Sequence, residues 1–316
     1  MPQQKTAKRI MTVLGLLTLV AAGGLLLRAA GLWRMAGEQH SSKLPVVASF
    51  YPLADFARNV GGDLIDVAVI TPAGAEPHDY EPTPRDIGAI YDAKLFIFNG
   101  NGIDAWAEKI RPDLETHGVT VLRMADYLKS RNSTEPDAAS GAYDPHFWLD
   151  PVYAADEADR IGTSLTIIDA SHAIQYAQQR DLFKKRLEEL DHAYQTGLAQ
   201  CQSRQIVTSH NAFSYLAARY HLTTRYILGL SPDEEPSPKT IADVAKIAKE
   251  KNIKIIFFET LVSPKLARTI AEEIGAQALP LNPIEGLTHT DILAGKDYIA
   301  VMQENLASLK LALSCR

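Results

Sequence analysis

Residues 181–198 read DLFKKRLEELDHAYQTGL. Phe183, Leu187, Leu190, Tyr194 and Leu198 recur at spacings of three and four, and Lys184, Lys185, Arg186, Glu188 and Glu189 fill the positions between them. That periodicity predicts one long amphipathic α-helix with an apolar stripe and a solvated face. It lies within a stretch, 154–202, that has neither proline nor a strand-like run. Four short apolar runs precede that stretch: Val46–Phe50, Ile65–Ile70, Leu95–Phe98 and Val119–Leu122. Four follow it: Gln205–Thr208, Thr224–Leu228, Ile253–Phe258 and Ala278–Leu281, separated by helical segments such as Thr240–Lys251 and Pro264–Gly275. Strands alternating with helices predict βα units and parallel sheets. The expected fold is therefore α/β, with two similar lobes at 44–153 and 203–316. Each is a parallel sheet flanked by helices, and a helical connector at 154–202, including one long rigid helix, joins them. Such a connector resists the large domain closure that flexible strand crossovers allow.

Composition narrows the class. The 316 residues are 46% apolar and 22% charged, which excludes a disordered chain and provides material for two cores. The net charge of −6 hides an asymmetry. Residues 1–43 carry Lys5, Lys8, Arg9, Arg28, Arg34 and Lys43 against Glu38 alone, so the body beyond them is strongly acidic. An acidic body argues against nucleic acid as a partner and suits a protein that meets cations. Basic residues followed by the uncharged run IMTVLGLLTLVAAGGLLL at 10–27 predict a signal peptide or N-terminal membrane anchor within 1–43, and an extracytoplasmic body. No cysteine follows the run to accept a lipid. The two cysteines, Cys201 and Cys315, exclude a thiolate metal site built from Cys alone, and export permits a disulfide between them as readily as two free thiols.

Nine histidines occur. His40, His117, His172, His192 and His221 sit in polar, mixed or connector-helix surroundings and read as surface residues. Three others stand at strand ends or helix starts: His78 in EPHDYEPTP (76–84), His146 in DPHFWLDP (144–151) and His210 in TSHNAFSYL (208–216). In an open parallel sheet that edge is where ligands bind. Two come from the first lobe and one from the second, so a site using all three falls in the cleft between lobes. Position alone leaves shared metal ligation and unrelated loop histidines both open. Asp79, Asp144 and Asp150 either ligate or accept the second imidazole N–H and fix the tautomer. Phe147 and Trp148 offer an apolar wall. In LNPIEGLTH (281–289), Glu285 and His289 are both candidates for a fourth ligand. Glu285 is preferred because Gly286 beside it lets the backbone turn sharply.

These segments resemble the TroA-like metal-binding receptors of ABC transporters, within them the zinc-binding ZnuA-like and AdcA-like branch. The resemblance runs from Val46 to the C-terminus and includes, in family order, EPHDYEPTP, the run Gly100–Trp106, DPHFWLDP, TSHNAFSYLAARY, SPDEEPSPK, FFETLVSPKLARTIAEEIG and LNPIEGLT. It implies two βα lobes joined by a long helix, with one metal ion held between them by His78, His146 and His210. The fourth family position often bears Asp, and here the nearest counterpart is Asn282. Similar AdcA-like proteins use a Glu slightly further on, which implies Glu285 as the fourth ligand. The His-rich loop of ZnuA-like receptors has no counterpart, since 129–145 lacks histidine.

Three imidazoles and a carboxylate suit Zn²⁺ at ~2.0–2.2 Å, whereas Mn²⁺ prefers oxygen-rich sites. The implied function is non-enzymatic: a high-affinity extracytoplasmic receptor that delivers Zn²⁺ to an ABC transporter permease and its ATPase. Manganese is the alternative cargo. A zinc-dependent hydrolase using a metal-bound water, and an adhesin of the same fold, are the alternative functions. Protonation of the imidazoles is expected to weaken binding below about pH 6.

Overall fold

The computed structural model describes residues 43–128, 143–232 and 236–316. The apolar run at 10–27, and with it the reading of a signal peptide or anchor, lies outside the described residues, as do His40 and most of the 129–145 loop.

The first part of the chain alternates β1 (Leu44–Ala48), α1 (Tyr51–Gly61), β2 (Ile65–Val69), α2 (Pro84–Tyr91), β3 (Leu95–Phe98), α3 (Ala105–Thr116), β4 (Thr120–Arg123) and α4 (Ala125–Leu128). The last part repeats the plan with β5 (Gln205–Thr208), α7 (Ser214–Arg219), β6 (Thr223–Tyr226), α8 (Pro238–Glu250), β7 (Ile255–Phe258), α9 (Lys265–Ile274) and β8 (Gln277–Pro280). It closes with α10 (His289–Leu293) and α11 (Tyr298–Leu313). All pairings are parallel, in the orders β2-β1-β3-β4 and β6-β5-β7-β8. In both sheets the chain reverses direction of winding beside the first strand, and loops leaving the carboxyl ends of adjacent strands form a crevice there.

The inner strands explain themselves. Leu95–Phe98 is apolar throughout and wholly buried, as a strand covered on both faces must be. Val46, Leu95, Ile206 and Phe257 face one core, while their neighbours Val47, Phe96, Val207 and Ile256 face the outer helices of their own sheets. Edge strand β2 alternates instead.

The connector is two helices, α5 (Pro151–Ile168) and α6 (Ala173–Gly197), joined by a 3-10 turn at Ala170–His172 and packed against each other. The long helix expected from the apolar spacing is α6; the 154–168 part of the connector belongs to a separate helix folded back on it. Asp169 ends the first helix. It receives the Ser171 hydroxyl (2.5 Å) and the Tyr176 hydroxyl (3.0 Å), a local side-chain solution that competes with helix continuation. Phe183, Leu187, Leu190, Tyr194 and Leu198 all join a single apolar core that includes residues of both sheets. On the solvated side, Arg186 bonds Asn59 of α1 (2.9 Å) and Asp297 at the start of α11 (2.7 Å). Separating the sheets would expose that shared core, so large closure is opposed. Cys201 and Cys315 form a disulfide that pins the C-terminus beside the end of α6 and closes a loop of 114 residues.

Candidate metal centre

His146 is the most constrained of the candidate ligands. Asp144 Oδ1 accepts its backbone N–H (2.9 Å) and lies 2.8 Å from Nδ1, so Nδ1 carries the proton and Nε2 is free to bind. The turn beneath it is held by the Gly100–Trp106 run. Buried Asp104 accepts the Ser49 hydroxyl (2.7 Å) and the Asn99 and Gly100 backbone N–H groups (2.7 and 2.8 Å). Asn99 then donates to the Pro145 carbonyl (2.9 Å). Trp148 supplies the expected apolar wall, with its ring 5.2 Å from that of His146, and its indole N–H donates across to the Pro283 carbonyl (2.8 Å).

His210 leaves the end of β5. Its Nδ1 is 2.7 Å from Glu259 Oε1, and its backbone N–H donates to the same oxygen (3.2 Å). Glu259 immediately follows β7, the neighbour of β5, so adjacent strand ends place the two side by side. Both residues are buried. Glu259 was missed by the sequence reading. A carboxylate directly after an apolar strand, at the same sheet edge as His210, is the one sequence signal for it.

His78 is held less firmly. It sits in the loop after β2, its backbone N–H donates to Glu76 Oε1 (3.3 Å), and its ring, though mostly buried, has no carboxylate partner on Nδ1 among the described residues. That loop is tied to the loop after β8 by the Gly74 N–H donating to the Leu287 carbonyl (3.0 Å).

Glu285 completes the cluster. Its Oε1 lies 3.1 Å from His146 Nε2, 3.3 Å from His210 Nε2 and 3.6 Å from His78 Nε2, while the His146 and His210 Nε2 atoms are 3.2 Å apart. All four candidate ligand atoms lie within 4.8 Å of one another. The edge of a tetrahedron with bonds of ~2.0–2.1 Å is about 3.3–3.4 Å, so the four separations of 3.1–3.6 Å, though not the widest in the cluster, match a four-coordinate cation of that size.

The backbone solution differs from the one expected. The left-handed residue is Ile284 (φ 59), not Gly286. Asn282 makes this turn by accepting the Ile284 N–H (2.7 Å) and is itself held by Asn305 of α11 through two bonds (2.8 and 2.7 Å). Gly286 serves close approach: a Cβ there would meet Leu261 Cδ1 at 3.2 Å and the Ala75 carbonyl at 3.5 Å. Asn282 is thus a scaffold, outside the cluster. His289 is exposed on α10, Asp79 is exposed, and Asp150 caps α5 and pairs with Arg219 (2.7 Å). These three stand outside the cluster as well.

The electrostatics of the cation-free cluster follow from its burial. Burial alone would depress His210, but Glu259 and Glu285 outweigh it and hold its pKa well above the usual value. Burial also opposes a charge on His146, and Asp144 and Glu285 again reverse the sign. His78 keeps the downward shift that burial imposes. Glu285 is held well below the carboxylate range because His210, followed by bonds from His146, His210 and His78, overcomes its burial. Burial, then Glu285, pushes Glu76 up to about 9. The cluster thus takes up protons in place of a missing positive charge, and a divalent cation would displace them.

Comparison with known proteins agrees with this geometry. A family profile described as "ZnuA: Zinc-uptake complex component A periplasmic" matches residues 46–312. The high-affinity zinc uptake system protein ZnuA of Bacillus subtilis (strain 168) is 35% identical over 308 residues, covering 94% of this chain and 97% of that protein. The zinc-binding lipoprotein AdcA of Streptococcus pneumoniae (strain ATCC BAA-255 / R6) is 35% identical over 282 residues, and the match covers 86% of this chain but 56% of AdcA. The chain therefore spans about half the length of the AdcA relatives. Among solved structures, the laminin-binding adhesin Lmb of Streptococcus agalactiae superposes with a TM-score of 0.78 at 37% identity, over 85% of this chain and 99% of that one. The Zn(II)-bound ZnuA-like domain of Streptococcus pneumoniae AdcA gives 0.75 at 35% identity, over 86% and 99%. With its profile matched over nearly the whole described body, the chain belongs to the ZnuA family of periplasmic zinc-uptake components.

Proposed function

We propose that the Nε2 atoms of His78, His146 and His210 and one oxygen of Glu285 bind a single Zn²⁺ as cargo. The protein then delivers it outside the cytoplasm to an ABC transporter permease driven by its ATPase. In this reading 44–153 and 203–316 act as two lobes around the ion, and the apolar run at 10–27 exports or anchors the chain. No helix among the described residues is long and apolar enough to cross a membrane. The observation that carries the reading is the convergence of three imidazole nitrogens on Glu285 Oε1 at 3.1–3.6 Å, with Asp144 and Glu259 behind two of the rings. Nitrogen-rich donors favour zinc over manganese. Four protein ligands leave no coordination position for a reactive water, which favours a binder over a hydrolase.

Competitive titration against a chelator of known affinity tests this. One zinc per chain is expected, lost in His146→Ala and Glu285→Ala; two unaltered variants would overturn the reading. A second reading, adhesion, is favoured by similarity to a Streptococcus agalactiae protein described as bifunctional, with adhesin and metal transporting activity. Laminin binding by the purified chain, measured with and without zinc, tests it separately.

A further inference from the structure

A cavity of about 480 Å³ lies between α1 and the end of β2 on one side and the Gly286–Lys296 segment on the other, and none of the four clustered residues lines it. Tyr51, Asp55 and Arg58 stand four and three residues apart on α1 and line it together. Residues so spaced share a helix face, with Cβ atoms about 5–6 Å apart. The Asp55 carboxylate is aimed by two donors, the Tyr51 hydroxyl (3.2 Å) and the Asn59 amide (3.1 Å). Burial, then Asp297, pushes its pKa up to about 6, so it is ionised at neutral pH. It is 8% exposed and has no ion-pair partner among the described residues. Arg58 donates to the Val67 carbonyl (3.2 Å) and forms no ion pair among the described residues either. Lys296 at the rim is occupied by Asp291 (2.9 Å) and Glu304 (2.8 Å). A buried carboxylate and an exposed guanidinium, neither in a direct ion pair among the described residues, thus share one face of a helix. Val69, Pro72, Leu287 and Ile292 supply the apolar part of the lining.

We propose that this cavity binds a free α-amino acid with a medium-sized apolar side chain. The ammonium pairs with Asp55, the carboxylate with Arg58, and the side chain lies against Val69, Pro72, Leu287 and Ile292. The cavity volume is that of small-molecule sites, and two opposite charges a few ångströms apart complement a zwitterion better than a singly charged ligand. Gly286 and Leu287 belong to the loop that carries Glu285, so a bound amino acid would bridge the two sheets beside the metal cluster. The inference does not depend on the identity of the metal.

The test is calorimetric titration of the metal-free full chain at pH 7.5 with L-leucine, 4-methylpentanoate and isoamylamine. Saturable L-leucine binding is expected, with each single-headed analogue weaker by at least about tenfold. Arg58→Gln and the cavity-filling Ile292→Trp should each lose leucine binding while titrating zinc as the parent does. Ile292 is half exposed, so the second variant keeps the test available if the first fails to fold. No heat with leucine, equal binding of either analogue, or unchanged leucine binding in a folded variant would overturn the proposal.

Discussion

His146 and His210 are each backed by a carboxylate and completely buried, whereas His78 sits in a loop with its ring unsupported and 9% exposed. These two candidate ligands, His146 before the 3-10 turn that leads into α5 and His210 after β5, bring their Nε2 atoms within 3.2 Å of each other. The third ligand is tied to that pair through Glu285 and the Gly74–Leu287 bond. On the proposed function, two candidate ligands are backed by carboxylates and the third stands on a loop, so exchange of the ion at the His78 side needs no separation of the sheets. Solution scattering should therefore give nearly the same radius with and without zinc.

The sharpest break of this contrast is replacement of single ligands. His146→Ala, His210→Ala and Glu285→Ala are expected to lower zinc affinity by more than about 100-fold, beyond what loss of an outer partner costs. His78→Ala should cost less and mainly speed dissociation, measured by stopped-flow transfer to a chelator. Equal losses at all three histidines would erase the distinction between carboxylate-backed and loop-borne ligands.

Acidity gives the next largest effect. In the cation-free cluster the pKa values of His146 and His210 are raised, so zinc must displace protons from both, whereas His78 is already neutral. Affinity should fall as pH falls, by up to about tenfold per pH unit for each displaced proton. The decline begins at a higher pH than unperturbed imidazoles would give. Calorimetry in buffers of different ionisation enthalpy should count about two protons released; none would contradict the assignment of tautomers and charges.

The same shifts set the stability of the metal-free protein. Raised pKa values at His146, His210 and Glu76 contribute stability that is complete below the unfolded values and lost as pH rises through the folded ones. The lowered value at Glu285 acts oppositely, its contribution being lost in acid. Metal-free Tm should therefore be highest near about pH 5–6 and fall towards pH 9, and zinc should reduce the alkaline decline. A Tm rising towards pH 9 without zinc would be the wrong sign.

Outer partners rank below these. Asp144→Asn and Glu259→Gln are each expected to weaken zinc binding about 10–100-fold. The smallest effect on zinc belongs to Cys201→Ser/Cys315→Ser. It should leave the zinc affinity unchanged and lower folding stability by up to about 4–5 kcal/mol, since the disulfide closes a long loop far from the cluster.

Much of this was legible from the residues. Runs such as LFIF at Leu95–Phe98 and QIVT at Gln205–Thr208 gave strands at their observed bounds, because short apolar runs between polar turns have few other places to go. The three cluster histidines stood out by their place at sheet edges. Glu285 does fall in the cluster, but the backbone reason for preferring it differs, since the left-handed turn lies on Ile284 rather than Gly286 and is stabilised by Asn282. The roles of Glu259 and Asn305 were hidden because their partners are 49 and 23 residues away, and only strand order and helix placement bring them together. The break at Asp169 was hidden for another reason. It uses side-chain bonds from Ser171 and Tyr176, with no glycine or proline to mark it.

Zinc-edge X-ray absorption on the loaded protein tests the central claim most directly. The account predicts four nitrogen or oxygen neighbours at ~2.0–2.1 Å with the scattering signature of three imidazoles, reduced to two in His146→Ala. An oxygen-dominated six-coordinate shell, or a spectrum unchanged in that variant, would contradict it.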